Sequence, residues 1–171
     1  SGWAYAEKVP IMLQTWGDTA AERGFEEDSL ELLQGRQVVV CGGTGAVSEE
    51  SVAGLDVAAR LGGDTLYDTN LAIVDWELAH GMTVEDVSVA SSIYSFNGVD
   101  ALAASALAGR ARGVILLAQS NPDYEPYVYT ESALSFVGEH AAETKAVHVL
   151  GGEIAQTADF YTAIEQAFLN R

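Results

Sequence analysis

The chain has 171 residues, of which 49% are apolar, and this suffices for one domain or two small, closely packed ones with a sizeable core. Its formal net charge of -17 disfavours binding to nucleic acids and to anionic membranes. No apolar run reaches the roughly 18 residues of a membrane-spanning helix, and the single cysteine, Cys41, excludes an internal disulfide framework and a cysteine-based zinc site.

Short apolar runs recur along the chain, and each is followed by a turn signal and a helical pattern. The runs are continuous rather than alternating, which is typical of parallel strands covered on both faces. Cys41 closes the second run, so a buried and inert thiol is expected there. The predicted strands are 11–13, 38–41, 87–90, 114–118 and 147–150.

Capping residues and glycines mark the ends of the helices between these strands. The chain opens at Ser1-Gly2-Trp3 inside an expected helix, which predicts that residues upstream have been removed. Pro122 and Pro126 predict a loop after the fourth strand. The alternation of strands and helices along the chain predicts an α/β fold, Rossmann-like or toprim-like, with a mostly parallel sheet, flanking helices and right-handed crossovers. The predicted helices run from Ser48 through Val52, Leu55 and Ala59; from Asp68 or Thr69 to Gly81; over 99–108 up to Gly109; over 131–137 behind Thr130; and over 160–169 behind Thr157.

The chain also repeats itself, which is the strongest signal in the sequence. Residues 8–13 match residues 112–117 at a separation of 104 (112 minus 8). Residues 39–43 match residues 148–152 at a separation of 109 (151 minus 42), so about five residues are inserted in the loop between the two matches.

The repeat predicts how the chain is divided. Residues 1–60 are expected to be the carboxy-terminal part of one repeat unit, and residues 61–171 one complete unit. A partial unit lacks one strand and one helix, so it cannot cover its own apolar faces. We therefore expect the two pieces to pack as one body, or the partial unit to pack on neighbouring copies of the repeat.

Basic residues recur at the entrances of the predicted strands. Lys8 matches Arg112, and Arg36 matches Lys145, which places all four at the amino edge of the sheet. Lys8, Arg112 and the nearby Arg110 form a candidate basic rim for an anionic polymer or for a neighbouring unit. The alternative is an ordinary solvated strand entrance without a ligand.

A glycine-rich loop, Gly42-Gly43-Thr44-Gly45, lies between a predicted strand and a predicted helix. Free amides in such a loop can bind an anion, which makes a Rossmann-like nucleotide- or phosphate-binding domain of an enzyme the alternative function. The loop lacks the full Gly-x-Gly-x-x-Gly spacing, and its counterpart carries Glu153 after two glycines. The glycines are also explained by a tight turn from strand to helix.

No set of residues predicts catalysis or metal binding. The three histidines, His80, His140 and His148, have no short ligand spacing, and no nucleophile elbow is present. No catalytic residue, metal or cofactor is therefore predicted. Tyr124 and Tyr127, in the loop after the fourth strand, suit stacking on sugars or packing within the loop.

An ordered set of motifs covers nearly the whole chain, and in this order it resembles the cell-wall-binding repeat 2 family of secreted Gram-positive proteins. The usual Asp-Arg pair of that family before Tyr67 is Thr65-Leu66 here. The matching motifs are Val-Val-Val-Cys-Gly-Gly-Thr-Gly-Ala-Val-Ser at 38–48, Arg-Leu-Gly-Gly at 60–63, Tyr-Asp-Thr-Asn-Leu-Ala-Ile at 67–73, Asp-Ala-Leu-Ala-Ala-Ser at 100–105, Val-Ile-Leu-Leu at 114–117 and Val-Leu-Gly-Gly at 149–152.

The resemblance implies a non-catalytic module of a secreted protein. Similar proteins carry three tandem copies with Rossmann-like or toprim-like units, arranged about a pseudo-threefold axis, which bind an anionic secondary polymer of the cell wall without a covalent bond. The stretch that the family associates with anchoring is Ile115-Leu116-Leu117 here. The resemblance thus implies a location at the cell wall, a polymer and neighbouring repeats as partners, and no membrane span.

Overall fold

The computed structural model describes residues 2–15, 17, 19, 22–92, 98–121, 123 and 130–169. These residues form parallel strands flanked by helices, which confirms the predicted α/β class. Within the described ranges, none of the helices combines the length and the apolar composition that crossing a membrane requires. The elements in chain order are α1 (Gly2–Glu7), α2 (Glu27–Leu33), β1 (Gln37–Cys41), a short 3-10 helix (Glu50–Val52), β2 (Asp56–Leu61), α3 (Leu66–Ala79), β3 (Asp86–Ser91), α4 (Val99–Ala111), β4 (Val114–Ala118), α5 (Glu131–Glu139), β5 (Ala146–Leu150) and α6 (Ala158–Leu169).

The chain forms two compact units. Unit 1 comprises residues 1–9 and 74–171, and unit 2 comprises residues 10–73. The boundary falls inside α3, so this helix continues from one unit into the other.

Unit 1 is built on a three-stranded parallel sheet in the order β4-β3-β5. Strands β3 and β4 supply its innermost side chains, because Val87, Val89, Val114 and Leu116 are fully buried. The predicted strands at 87–90, 114–118 and 147–150 are thus confirmed. The apolar runs of β3 and β4 agree with their almost complete burial, whereas β5 is half-buried along its whole length.

Helix α4 covers one face of this sheet. Ala104 and Ala108 pack there against Ala90 of β3 and Ile115 of β4. The predicted stop at Gly109 is wrong, because α4 continues to Ala111. Gly109 serves close packing instead, since a Cβ atom there would lie 2.7 Å from the Gly2 carbonyl oxygen and from the Tyr5 ring of α1.

Unit 2 contains the two-stranded parallel sheet of β1 and β2. The prediction of a strand at 11–13 is wrong, since this stretch is neither strand nor helix. Ile11 and Leu13 are 56% and 83% exposed. Among the described residues of this unit, β1 and β2 pair with each other and residues 11–13 join neither of them, and Pro10 just before the stretch offers no amide hydrogen.

The predicted long helix from Ser48 is also wrong. Ser48 does accept a hydrogen bond from the amide of Ser51 at 3.2 Å, but the helix it starts is only the short 3-10 turn. Gly54 then adopts a φ of 84°, which ends the turn. The spacing of Val52, Leu55 and Ala59 suggested a helix, whereas pairing with β1 makes residues 56–61 a strand.

The cysteine prediction is wrong as well, because Cys41 is exposed. It is the last residue of β1, a strand whose two end residues are exposed and in which only Val40 is buried. The apolar run therefore marks a strand that is only partly covered, and the thiol at its end reaches solvent.

Helix α3 begins earlier than predicted, at Leu66. Thr65 and Asp68 cap it reciprocally: the Asp68 amide donates to the Thr65 hydroxyl at 3.1 Å, and the Thr65 amide donates to the Asp68 carboxylate at 3.0 Å. Thr65 thus has a structural role at the position where the resembling family has a charged pair. The predicted stop at Gly81 is confirmed, with a φ of 92° after the helix end.

Helices α1 and α4 end in the same way. Lys8 after α1 and Arg112 after α4 are the two described residues other than glycine with a positive φ, 58° and 54°. In both cases the amide of the next residue donates a hydrogen bond to a carbonyl group of the helix: Val9 to Ala4 at 2.9 Å and Gly113 to Ala108 at 2.8 Å. Both bonds keep the separation of 104 found in the sequence (108 minus 4, 113 minus 9).

We expect Lys8→Gly to stabilise the protein. A left-handed backbone costs a side-chain-bearing residue about 1–2 kcal/mol, and the greater freedom of glycine in the unfolded chain returns about 0.4–1 kcal/mol. A net gain of about 0.5–1 kcal/mol in unfolding free energy should appear in urea unfolding. Lys8→Ala removes the same charge but keeps the Cβ atom, so an equal gain from alanine would contradict the explanation.

Candidate functional site

The Ile-Leu-Leu stretch lies in β4 and belongs to the core of unit 1. Leu116 is fully buried, Ile115 is 8% exposed and Leu117 is half-buried against the cluster under α4. Two of its three side chains thus offer almost no surface to a polymer. A role of this strand in anchoring therefore stays a prediction, and it would act through the core that the strand stabilises.

The predicted basic rim is exposed, at the ends of α1 and α4. Arg112 is paired with Glu7 at 3.0 Å, and its guanidinium also donates to the Gly81 carbonyl at 3.3 Å. This ion pair brings Arg112 beside Lys8, the residue that follows Glu7. Among the described residues, Lys8 and Arg110 form no ion pair, so their charges are available to an anion.

Hydrogen bonds between its own backbone groups hold the glycine-rich loop after β1 in shape. The amides of Ala46 and Val47 both donate to the Gly43 carbonyl at 2.9 Å. They are therefore already used as donors. A Cβ atom on Gly62, after β2, would lie 2.6 Å from the Gly43 nitrogen, so glycine is needed there for the close approach of the two strand ends.

Two arginines fix the carbonyl groups of this loop. Arg60 donates to Gly42 at 3.1 Å and to Val47 at 2.8 Å, and Arg23 donates to Gly45 at 2.8 Å. Arg60 also lies 3.2 Å from the Glu49 carboxylate. These guanidinium groups are directed at protein oxygens, and an anion site at Gly42, Gly43, Thr44 and Gly45 stays a prediction.

A carboxylate stands at the start of the helix that follows the loop. A backbone hydrogen bond of Glu50 itself, and then one from the Ser48 hydroxyl, hold the pKa of the Glu50 carboxyl below its usual value. Its negative charge lies at the amino end of the 3-10 helix, where a nucleotide phosphate would be expected. No observation on the described residues favours the nucleotide-binding alternative.

The loop after β5 repeats this geometry. Gly151 has a φ of 103°, as Gly42 has 133°, and the amides of Ala155 and Gln156 donate to Gly152 at 2.8 and 2.9 Å. The bonds correspond to those of the first loop at a separation of 109 (155 minus 46, 156 minus 47). Here the Gly151 carbonyl accepts from the Tyr161 hydroxyl at 2.5 Å instead of from an arginine.

A group of buried, uncharged polar side chains at the carboxyl edge of the three-stranded sheet was not predicted. We call Gln119, Ser120, Asn121 and Gln156 the carboxyl-edge cluster; all four are at most 8% exposed. The first three follow β4 directly, and a run of Gln-Ser-Asn immediately after a buried strand was the signal available in the sequence.

Hydrogen bonds join this cluster to the turn after β5. The Ser120 hydroxyl donates to Gln156 Oε1 at 2.8 Å and accepts the Thr157 amide at 2.9 Å. Asn121 Nδ2 donates to the Ile154 carbonyl at 2.7 Å. The cluster therefore ties the end of β4 to the start of α6, at the edge of a parallel sheet where ligands usually bind.

A depression of 560 Å³ lies at the opposite, amino edge of unit 1, and its lining includes Glu85, Glu143 and His140. Lys145 pairs with Glu85 at 2.7 Å, so this basic position of the sequence analysis is compensated. The carboxylate of Glu143 makes the depression unfavourable for an anionic polymer.

The remaining predicted positions add little to the site. Tyr124 and Tyr127 lie outside the described residues. In the described part of the chain, no three or more His, Cys, Asp or Glu side chains are grouped so as to hold a metal ion. His148 instead pairs with Asp86 at 3.0 Å across the sheet, as expected for a structural histidine.

Comparison with known proteins agrees with the fold. Residues 60–160 match the sequence profile of the cell wall binding domain 2 family. Among solved structures, the chain is similar to Cwp6 from Clostridium difficile, with a TM-score of 0.72 and 20% identity over 97% of this chain. The chain spans 25% of the length of that Cwp6 chain, and at this identity the likeness shows the fold alone. Among curated proteins no sequence matches the chain significantly.

Proposed function

Because the chain belongs to the cell wall binding domain 2 family, we propose that it is a non-catalytic module that anchors a secreted protein to an anionic polymer of the cell wall. The observation that carries this proposal is the family match over residues 60–160. Its partners would be the polymer and neighbouring copies of the repeat, and its location the cell wall of a Gram-positive bacterium.

The distribution of charge supports a limited anionic contact. Only eight Lys and Arg residues oppose 25 Asp and Glu residues, so the polymer must be attracted locally. Lys8 and Arg110 are exposed and form no ion pair among the described residues, and each lies at or near the end of a helix. We propose that these two charges, with Arg112 beside them, contact the polymer.

The recurring helix ends and loops support the proposed division into a partial unit, 1–60, and a complete unit, 61–171. The two positive-φ cap residues, Lys8 and Arg112, and the two turn glycines, Gly42 and Gly151, fall at matching repeat positions. We propose that further copies of the repeat complete the apolar faces of the partial unit.

Retention on purified cell walls tests the function. The protein should bind intact walls and should be lost from walls whose anionic polymers have been extracted. Bound protein can be measured after sedimentation of the walls. Equal retention on both preparations would refute the polymer as the ligand, while retention on neither would refute wall binding.

Removing the available charges should weaken this retention. We expect the double variant Lys8→Gln and Arg110→Gln to reduce wall binding several-fold at low salt, and the difference to shrink as salt screens the charges. Lys145→Gln is the matched control, because Glu85 already compensates that charge. Equal losses for the control and the double variant would mean that net charge, and not the rim, governs binding.

A further inference from the structure

Strand β5 is the open edge of the three-stranded sheet. Among the described residues it pairs with β3 alone, and all five of its residues are half-buried. Strand β4, at the opposite edge, also pairs with β3 alone, but it is almost completely buried. The side of β5 that faces away from β3 is therefore the side on which this sheet could accept a further strand.

The backbone of β5 directs hydrogen-bonding groups to this open side. The Ala146 amide donates to the carbonyl of Glu85, just before β3, at 3.1 Å. Because successive amides of a strand point to opposite sides, the amides of Val147, Val149 and Gly151 face away from β3. In the part of the chain that the structure describes, no strand lies on that side to receive them.

This edge lacks the features that normally protect an exposed strand. Lysine side chains, proline and bulges prevent an edge from pairing with further chains. Strand β5 reads Ala-Val-His-Val-Leu, and its register with β3 is regular over all five residues. Its one titratable side chain, His148, is paired with Asp86. An unprotected edge of this kind is a template for another strand.

The chain contains a second copy of this edge, and that copy is paired. Strand β1 is the repeat counterpart of β5 at the separation of 109 (146 minus 37), and it pairs with β2 in parallel. The Gly42 amide after β1 donates to the carbonyl of Leu61, at the end of β2, at 2.6 Å. Its counterpart Gly151 donates to no backbone carbonyl among the described residues. Strand β2 thus occupies the side of β1 that is open in β5.

A depression of 360 Å³ borders β5 and gives a further strand room. Val40 of β1 is 7% exposed beside β2, whereas its counterpart Val149 is only half-buried. A strand on the open side of β5 would cover Val149 as β2 covers Val40. The apolar lining of the depression comes from β5 and α6 and consists of Val147, Val149, Tyr161, Ile164 and Phe168.

We infer that the open side of β5 binds a parallel strand of a further copy of the repeat, equivalent to β2. The pairing of Val38 with Val57 in the first copy places the counterpart of Val57 beside Val147. This inference rests on the neighbouring copies of the proposed function, and it adds the place and the register at which such a copy attaches. Main-chain hydrogen bonds supply the affinity and the two valines the apolar contact.

An additional copy of β2 tests the inference on the whole chain. Residues 55–63 are attached again after Arg171 through a flexible Gly-Ser linker, which gives an effective concentration in roughly the millimolar range. The linker can be short, because Phe168 and Val147 border the same depression. We expect NMR-detected hydrogen exchange of the Val147 and Val149 amides to slow several-fold, while the β4 amides stay unchanged. Equal exchange with and without the extension would overturn the inference.

An extension with proline at the position equivalent to Ala59 is the matched control. Leu61 faces β1 through its carbonyl, so Ala59, two residues earlier, faces β1 as well. Proline removes that amide hydrogen and is excluded from the middle of a sheet. This extension should leave the exchange at β5 unchanged. Equal slowing by both extensions, or slowing confined to other strands, would overturn the inference.

The exchange experiment contains no cell wall, so its result is independent of polymer binding. Retention on walls without slower exchange at β5 would overturn the strand site alone. Slower exchange at β5 without retention on walls would overturn the polymer as the ligand and support the attachment of a neighbouring copy.

Discussion

Gly113→Ala is expected to destabilise unit 1 by about 3 kcal/mol, because overpacking against backbone cannot be relieved by a rotamer change. A Cβ atom on Gly113 would lie 2.1 Å from the Asp86 carbonyl oxygen and 2.9 Å from the Asp86 carbonyl carbon. Asp86 starts β3 and holds His148 of β5, so its displacement would disturb all three strands. Urea unfolding followed by circular dichroism measures the loss.

Gly138→Ala provides the control for this steric explanation. Gly138 lies in α5, has no atom within 4 Å of its would-be Cβ and needs no positive φ. Alanine there should stabilise the helix by about 0.5–1 kcal/mol. If both alanine variants changed stability in the same direction and to the same extent, the close contact with Asp86 would not be the cause.

Arg60→Met is expected to destabilise unit 2 by about 2 kcal/mol, since hydrogen bonds to a charged group contribute about 1.5–3 kcal/mol. The substitution removes the donors to the carbonyls of Gly42 and Val47 and the ion pair with Glu49. Hydrogen exchange should show the loss as faster exchange of the β1 and β2 amides.

Two further variants sharpen the test of Arg60. Arg60→Lys should recover only part of the stability, because a single ammonium group cannot reproduce the forked geometry that reaches both carbonyls. Arg36→Met is the control for loss of charge, since Arg36 is exposed just before β1, and it should change stability by less than about 0.5 kcal/mol. Equal losses of stability from Arg36→Met and Arg60→Met would rule out the hydrogen bonds of Arg60 to the loop carbonyls as the cause.

The fold was predictable where strands are covered on both faces. The run at 114–118 is continuously apolar and the run at 87–90 is interrupted only by the buried Ser88, because both strands are almost fully buried, and this produces a clear sequence signal. Strand β2 was missed because Asp56 and Arg60 interrupt its apolar character, and only its pairing with β1 makes it a strand. Pairing partners are a tertiary property that local periodicity does not carry.

The site was predictable to a smaller extent. The repeat correctly identified Lys8 and Arg112 as equivalent, and their shared left-handed caps explain why. The packing of α1 beside α4 pairs Glu7 with Arg112, and Lys8 forms no ion pair among the described residues. The sequence does not reveal this packing. The carboxyl-edge cluster escaped prediction because buried polar residues have no periodicity of their own, and their burial is known only once neighbouring loops are in place.

Helix α3 has a consequence for how the two units fold. Its 14 residues are divided between them, with 66–73 in unit 2 and 74–79 in unit 1. Helices shorter than about 12–15 residues are marginal in water, so neither part would persist if the other lost its structure. The two parts of α3 should therefore lose their helical structure together, as one continuous helix.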